Sequence, residues 1–326
     1  MTNNNLKHSI LRPKVAVSSV SFGKSATLRK ELLQIFPNSF FNENDQLLFE
    51  KELISFISDA DALIVGVETI NDSILEYTPE LKIISKYGVG LDSIDQKSLA
   101  RRKIYLGWEG GINRRSVSEL TLCFMLGLCR NVFSSGFKLK NLEWNKNGGH
   151  QLSGKIIGIL GCGHIGSDVV RLLSPFNCKV LVRDIIDKSD FCRKQGAFEV
   201  NMEEMIEKSD IISLHVPLTK MTYKMVDKGF LKKMKPTCFL VNTCRGNVVD
   251  QSALKIALDQ KIIAGAALDV FAEEPIKDPK LLSLPNLMVT PHIGGNTKEA
   301  VEIMGRAAIK HLSAFFNTKQ LNCKGN

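Results

Sequence analysis

Three residues in the second half of this 326-residue chain carry side chains suited to proton transfer and acid binding. Arg245 precedes Gly246, Glu274 precedes Pro275, and His292 follows Pro291. An imidazole titrates closest to the operating pH, so His292 is the natural general acid and base. A neighbouring carboxylate would hold its tautomer and favour the imidazolium, which is the part Glu274 can play. Arg245 offers a planar fork to a carboxylate and can polarise the carbonyl beside it. Together the three suit the interconversion of a 2-hydroxy acid and its 2-oxo acid, which moves a hydride and a proton.

Each of the three stands just past an apolar run, at 238–242, 264–269 and 287–290. Such runs read as buried strands, and open α/β sheets bind ligands beyond the carboxyl ends of their strands. A further run at 156–160 leads into Gly161-Cys162-Gly163-His164-Ile165-Gly166 and then a helical stripe of Val169, Val170, Leu172 and Leu173. A GxGxxG at a strand-to-helix junction cradles a pyrophosphate. Gly161 makes the tight turn, Gly163 lets the backbone approach the phosphates and Gly166 lets helix and strand pack closely. The free N–H groups of the helix start then face the anion. The next strand, 179–183, ends at Asp184, about 20 residues on. Its carboxylate suits ribose hydroxyls and repels a 2′-phosphate, so NAD is expected over NADP, although Arg183 beside it could meet a phosphate. A nicotinamide would supply the hydride chemistry. Of the other histidines, His164 is expected near the pyrophosphate and His215, at the exit of strand 211–215, near the site. His8, His150 and His311 read as surface residues.

The first third of the chain must fold around strands at 15–20, 62–66, 81–85 and 104–107. A helix over 25–36 is capped by Ser25 and buries Leu28, Leu32, Leu33 and Ile35, and a second lies near 53–57. Strands alternating with helices predict a parallel, doubly wound sheet. A helix over 117–132 is apolar almost all round, which implies burial between domains or at a subunit interface. The polar stretch with Trp144, Asn145, Gly148 and Gly149 reads as a linker. A last helix runs from 297 to about 316 with Asn296 as its cap.

Composition narrows the partners. The hydrophobic share of 44% and the charged share of 24% are those of a soluble globular protein, and the length allows two domains. No apolar run is long enough to span a bilayer, and the polar N-terminus lacks the core of a signal peptide. The eight cysteines show no zinc spacing, so no metal is expected, and a reducing cytoplasm suits their free thiols. The net charge of +9 comes from dispersed lysines and arginines. It reads as a solvated basic surface able to attract an anionic substrate or cofactor, with no clustered patch for nucleic acid and no membrane surface.

The chain resembles the D-isomer-specific 2-hydroxyacid dehydrogenases, which include phosphoglycerate dehydrogenases, from about Val15 to Phe316. The resemblance rests on 158–166, on Asn242-Thr243-Cys244-Arg245-Gly246, on Asp269-Val-Phe-Ala-Glu-Glu274-Pro275, on Thr290-Pro-His292-Ile-Gly-Gly295 and on Lys86-Tyr-Gly88-Val89-Gly90. It implies that Arg245, Glu274 and His292 are catalytic. It also implies that Val216, Pro217, Thr243 and Asp269 line the cofactor, and that the loop with Lys86, Gly88, Val89 and Gly90 binds the substrate carboxylate through its amides. The implied architecture is two doubly wound domains. A Rossmann NAD-binding domain at 109–292 is inserted in a discontinuous, flavodoxin-like substrate domain made of 1–108 and 293–326, with a site in the cleft that closes by hinge motion. A homodimer through the cofactor domain, using the 117–132 helix and the segment near Trp144, is the implied assembly. Two departures stand out. Glu68 lies just after strand 62–66, where phosphoglycerate dehydrogenases of the common type carry an arginine for the substrate phosphate. Asn113-Arg114-Arg115-Ser116 is more basic than usual and could compensate. A rival reading on the same fold is an NADH-sensing, corepressor-like interaction protein.

Overall fold

The computed structural model describes residues 12–44 and 46–323, with side chains through 317. The chain divides into two compact units: the described residues up to Asn113 together with those from Thr297, and Arg114–Asn296. The second unit thus interrupts the first in sequence.

In the first unit the strands are β1 (Val15–Val17), β2 (Ser39–Phe41), β3 (Ala62–Val65), β4 (Ile83–Lys86) and β5 (Tyr105–Gly107), all parallel in the order β2-β1-β3-β4-β5. β1, β3 and β4 are buried along their whole length, because successive side chains point to opposite faces and both faces are covered. On one face Val15, Val17, Ile64 and Ile83 pack with Phe22, Leu28 and Leu32 and with Ala308 and Leu312 of the last helix. On the other, Ala16, Leu63, Val65 and Ile84 pack with Leu53 and Ile57. Each such aliphatic side chain contributes roughly 1.5–3 kcal/mol by leaving water.

Ser25 caps the Ala26–Ile35 helix as expected, its hydroxyl accepting from the Leu28 N–H at 3.3 Å. The last helix, Lys298–Cys323, is capped differently from the sequence expectation. Thr297 Oγ1 accepts from the Ala300 N–H, whereas the Asn296 amide donates back to the His292 carbonyl. Ser85 Oγ pins this helix to β4 by donating to the Ala308 carbonyl at 3.0 Å. His311, expected at the surface, is half-buried where the helix crosses β5. A Cβ at Gly107 would lie 2.5 Å from the His311 Cβ, so only glycine fits there. His8 lies outside the described residues.

The second unit holds β6 (Ile156–Leu160), β7 (Lys179–Arg183), β8 (Phe198–Glu199), β9 (Ile211–Leu214), β10 (Phe239–Asn242), β11 (Gly265–Leu268) and β12 (Leu287–Val289). They form one parallel sheet in the order β12-β11-β10-β9-β6-β7-β8, so the strand order reverses between β6 and β9. The helix expected over 117–132 runs from Arg114 to Cys129, and a second, unexpected helix follows it. Arg114–Cys129 ends at a left-handed Asn131 (φ 52°), and Val132–Lys140 departs at 65°. The first of these is a core helix of its own unit, its Phe124, Met125 and Leu128 packing with Ile157, Val169 and Met288. The second buries nothing: Val132, Phe133 and Phe137 are exposed, as are Leu142 and Trp144 beyond it. The stretch expected as a linker is tied to this unit by the His150 N–H on the Cys129 carbonyl (2.7 Å) and by Arg130 Nε on the Gly148 carbonyl (2.9 Å). Among the described residues no single helix is long and apolar enough to cross a membrane.

Candidate active site

The carboxyl ends of β10, β11 and β12 bring Arg245, Glu274 and His292 together within the second unit. His292 Nδ1 lies 2.7 Å from Glu274 Oε2, and the other Glu274 oxygen accepts from the Phe271 N–H at 2.9 Å. With Nδ1 turned to the carboxylate, Nε2 is the nitrogen left to serve a reacting oxygen. The hydrogen bond from Glu274, opposed by partial burial, holds the His292 pKa above its ordinary value of 6.5. Burial works to raise the Glu274 pKa, but the bonds from His292 and Phe271 outweigh it and the net shift is downward. The pair is therefore poised as carboxylate and imidazolium.

His292 sits in a left-handed conformation, φ 55°, uncommon for an L-residue. Asp269 holds the segment around it. It is 1% exposed, and its carboxylate accepts from Thr290 Oγ1 (2.6 Å), the Ile293 N–H (2.8 Å) and the Gly294 N–H (2.8 Å). Ser116 Oγ closes the loop from the core helix by donating to the Gly294 carbonyl at 2.5 Å. Asp269 thus anchors the histidine loop.

The turn that presents Arg245 is built by Asn242. Its amide donates to the Arg245 carbonyl (3.0 Å) and its oxygen accepts from the Cys244 N–H (3.0 Å). A Cβ at Gly246 would fall 1.9 Å from the Phe271 carbonyl carbon, so the glycine is what allows this turn to lie against the Phe271–Glu274 segment. Arg245 Nη1 donates to the Cys244 carbonyl at 2.6 Å. Burial pushes the adjacent Cys244 thiol up to about 11, so it stays neutral.

The glycine loop stands at the reversal of strand order, where open α/β sheets take ligands. Gly161 has φ 90°, and a Cβ there would meet the His215 carbonyl at 2.7 Å and Val216 at 2.9 Å, so the loop lies directly on the β9 exit. Gly163 is the N-cap of the His164–Leu173 helix. Nothing lies within 4 Å of where its Cβ would be, and Gly163 and His164 are exposed. That open face in front of free helix N–H groups fits a pyrophosphate. Asp184 ends β7 with one oxygen accepting from the Cys162 N–H of the loop (2.6 Å) and the other from the Ile186 N–H (2.9 Å). Arg183 folds its guanidinium onto the Asp184 carbonyl at 2.6 Å.

Comparison with known proteins agrees with this architecture. Residues 122–294 match the model of the D-isomer specific 2-hydroxyacid dehydrogenase, NAD binding domain. The glyoxylate reductase of Thermococcus litoralis is 38% identical over 273 residues, 81% of this chain and 82% of its own length. That of Pyrococcus furiosus is 35% identical over 315 residues, 94% of this chain and 93% of its own. The chain belongs to the D-isomer specific 2-hydroxyacid dehydrogenase family. A solved D-lactate dehydrogenase from Aquifex aeolicus, complexed with NAD and lactic acid, superposes with a TM-score of 0.83 at 27% identity, over 96% of this chain and 98% of that one. The second unit is accordingly an NAD(P)-binding domain, and the chain is an NAD(P)-dependent 2-hydroxyacid dehydrogenase.

The remaining candidates in this dehydrogenase distribute as follows. Val216 and Pro217 leave β9 beside the glycine loop, with Pro217 exposed. Thr243 is buried, its hydroxyl 2.9 Å from that of Thr121 on the core helix. His215 bonds Ser213 Oγ through Nε2 (2.9 Å), and burial pushes its pKa down to about 3, so the ring stays neutral. Lys86, Gly88, Val89 and Gly90 belong to the first unit. There Lys86 is buried and donates to the Gly66 carbonyl, Gly88 has φ 122°, and Val89 and Gly90 are partly exposed. Arg115, a candidate to offset Glu68, pairs instead with the buried Asp168 at 3.0 Å. The sequence named Asn242 and Ser116 only within motifs and did not anticipate their roles, nor that of Trp108, whose indole N–H donates to the Val89 carbonyl at 3.0 Å and steadies the 86–90 loop. Asn242 had a local signal, an Asx turn closing a strand; Ser116 and Trp108 act across long sequence separations and had none.

Proposed function

We propose that this dehydrogenase reduces a small 2-oxo acid of the glyoxylate class to the D-2-hydroxy acid with NADH. The observation that carries the reading is the 2.7 Å pairing of His292 with Glu274 beside the Arg245 turn, in the unit that holds the glycine loop. The names of the relatives at 38% and 35% identity support glyoxylate as the first substrate to test.

A nicotinamide cofactor supplies hydride chemistry when bound. The chain's residues do the rest. Arg245 holds the substrate carboxylate, and the amides near Gly88, Val89 and Gly90, with Lys86 supporting that loop, are the first unit's candidates for substrate binding. The imidazolium of His292 gives its Nε2 proton to the C2 oxygen as the hydride arrives at C2. Glu274 keeps Nδ1 protonated and stabilises the charged ring until that transfer. Gly161, Gly163, His164, Ile165 and Gly166 receive the pyrophosphate, Val216, Pro217 and Thr243 border the cofactor, and Asp269 fixes the histidine loop from behind. Asp184, a carboxylate at the end of β7, favours NAD over NADP because it would repel a 2′-phosphate.

The exposed apolar stripe of Val132, Phe133, Phe137, Leu142 and Trp144 supports a homodimer through this domain, since so many large apolar side chains rarely stay in water. The free thiols of the seven described cysteines fit a reducing cytoplasm. The test is a panel of 2-oxo acids with NADH and NADPH, read as nucleotide oxidation. Turnover of glyoxylate with NADH at least tenfold above that with NADPH is expected; no turnover of any 2-oxo acid would refute the reading.

A further inference from the structure

We propose that Glu68 is a specificity-determining residue that bars 2-oxo acids carrying a second negative group. The inference deepens the functional reading above and rests on it. Within the first unit, strand order also reverses once: β2 lies to one side of β1, while β3, β4 and β5 follow on the other. The exits of β1 and β3 therefore flank a switch point, the place where such sheets take small ligands. Ser19 leaves β1 there, and Gly66 to Glu68 leave β3.

The contacts join these exits to the 86–90 loop. Glu68 Oε2 accepts from the Gly66 N–H at 2.8 Å, while Lys86 donates to the carbonyl of the same glycine. A Cβ at Gly66 would lie 3.1 Å from Ser19 Oγ and 3.2 Å from Glu68 Oε2, and one at Gly88 would lie 3.7 Å from Lys86 Cε. Ser19, Glu68, Gly66, Lys86 and Gly88 thus form one continuous patch. Glu68 is only 4% exposed, and its second oxygen, Oε1, is buried with no hydrogen-bond partner. A polar side chain is rarely buried with an oxygen unanswered unless something else answers it.

The chemistry follows from charge. A carboxylate held where water is scarce repels another anion strongly. It accepts a hydrogen bond from a hydroxyl on C3 through Oε1. The substrate's own carboxylate is met by the amides of the 86–90 loop. A monocarboxylate with a neutral C3, above all one bearing a hydroxyl, satisfies both halves. A dicarboxylate or a phosphorylated 2-oxo acid does not.

The test compares kcat/KM for pyruvate, hydroxypyruvate, oxaloacetate and 3-phosphohydroxypyruvate, with NADH, in the full-length wild type and in Glu68→Gln. The amide keeps an acceptor for the Gly66 N–H and removes the charge. The wild type should favour hydroxypyruvate over oxaloacetate and over 3-phosphohydroxypyruvate by at least tenfold. Glu68→Gln should narrow both gaps at least fivefold. Ratios within twofold of wild type in a variant that still binds NADH would overturn the assignment. So would a wild type that prefers either dianionic substrate, a result that needs no variant. A wild type that binds NADH but reduces none of these acids nor glyoxylate would instead overturn the functional reading on which the assignment rests.

Discussion

Glu274 and His292 meet at 2.7 Å although they stand on the exits of different strands, β11 and β12. Their pKa values move apart, Glu274 downward and His292 upward. Oppositely shifted neighbours of this kind are what the proposed acid and its orienting carboxylate require. Both side chains are at least a third exposed, so the pair adds little to stability.

The first prediction concerns pH. If His292 is the proton donor proposed above, kcat/KM for reduction should fall as pH rises through the raised imidazole value, above the ordinary 6.5. The pair's modest contribution to stability has the matching sign. The His292 part is complete below 6.5 and lost as pH rises through its raised value. The Glu274 part is complete above 4.5 and lost as pH falls through its lowered value. Glu274→Gln should shift the alkaline limb of the reduction profile to lower pH and cut the maximal rate. A limb that stays in place would show that Glu274 does not set the imidazole pKa.

Arg245→Ala should raise KM and also lower kcat, because the guanidinium would bind the carboxylate in the ground state and polarise the carbonyl in the transition state. Losing hydrogen bonds to a charged partner costs roughly 1.5–3 kcal/mol, or about ten- to a hundredfold in kcat/KM. Steady-state kinetics would check this.

Asp269→Asn should disturb the histidine loop. The carboxylate accepts three hydrogen bonds in a buried place, and an amide nitrogen facing the Ile293 or Gly294 N–H cannot replace them. A stability loss of about 1–3 kcal/mol is expected, visible as a lower Tm together with a lower kcat. A variant of unchanged Tm and kcat would remove Asp269 from the account.

Gly246→Ala tests the contact between the Arg245 turn and the Glu274 segment. The added methyl would meet the Phe271 backbone at 1.9 Å, closer than any real contact. Overpacking of this kind costs about 1–3 kcal/mol, and on the proposed mechanism activity should fall more than stability because the segments bearing Arg245 and Glu274 must both shift.

Much of this was legible in the sequence. The parallel strands with their exits, the glycine loop and the trio at β10, β11 and β12 all followed from apolar runs and punctuation residues. β2 and β8 did not, because both are short edge strands, and β8 is two exposed residues. The end of the core helix at Cys129, short of the expected 132, had only a weak mark, an asparagine at 131 that tolerates the left-handed region, and the helix beyond it was not expected. The role of Asp269 was out of reach, since its partners lie 21 to 25 residues away in sequence. The exchange of Asn296 for Thr297 at the last cap reflects the same limit: the Asn296 side chain is drawn to the His292 carbonyl, a bond no local rule foretells.

The most direct test of the central claim is His292→Ala, measured for both NADH binding and glyoxylate reduction. The account predicts an NADH Kd within about threefold of wild type and a loss of roughly 10²–10⁴ in turnover, the usual contribution of a positioned general acid. Turnover within tenfold of wild type would contradict it.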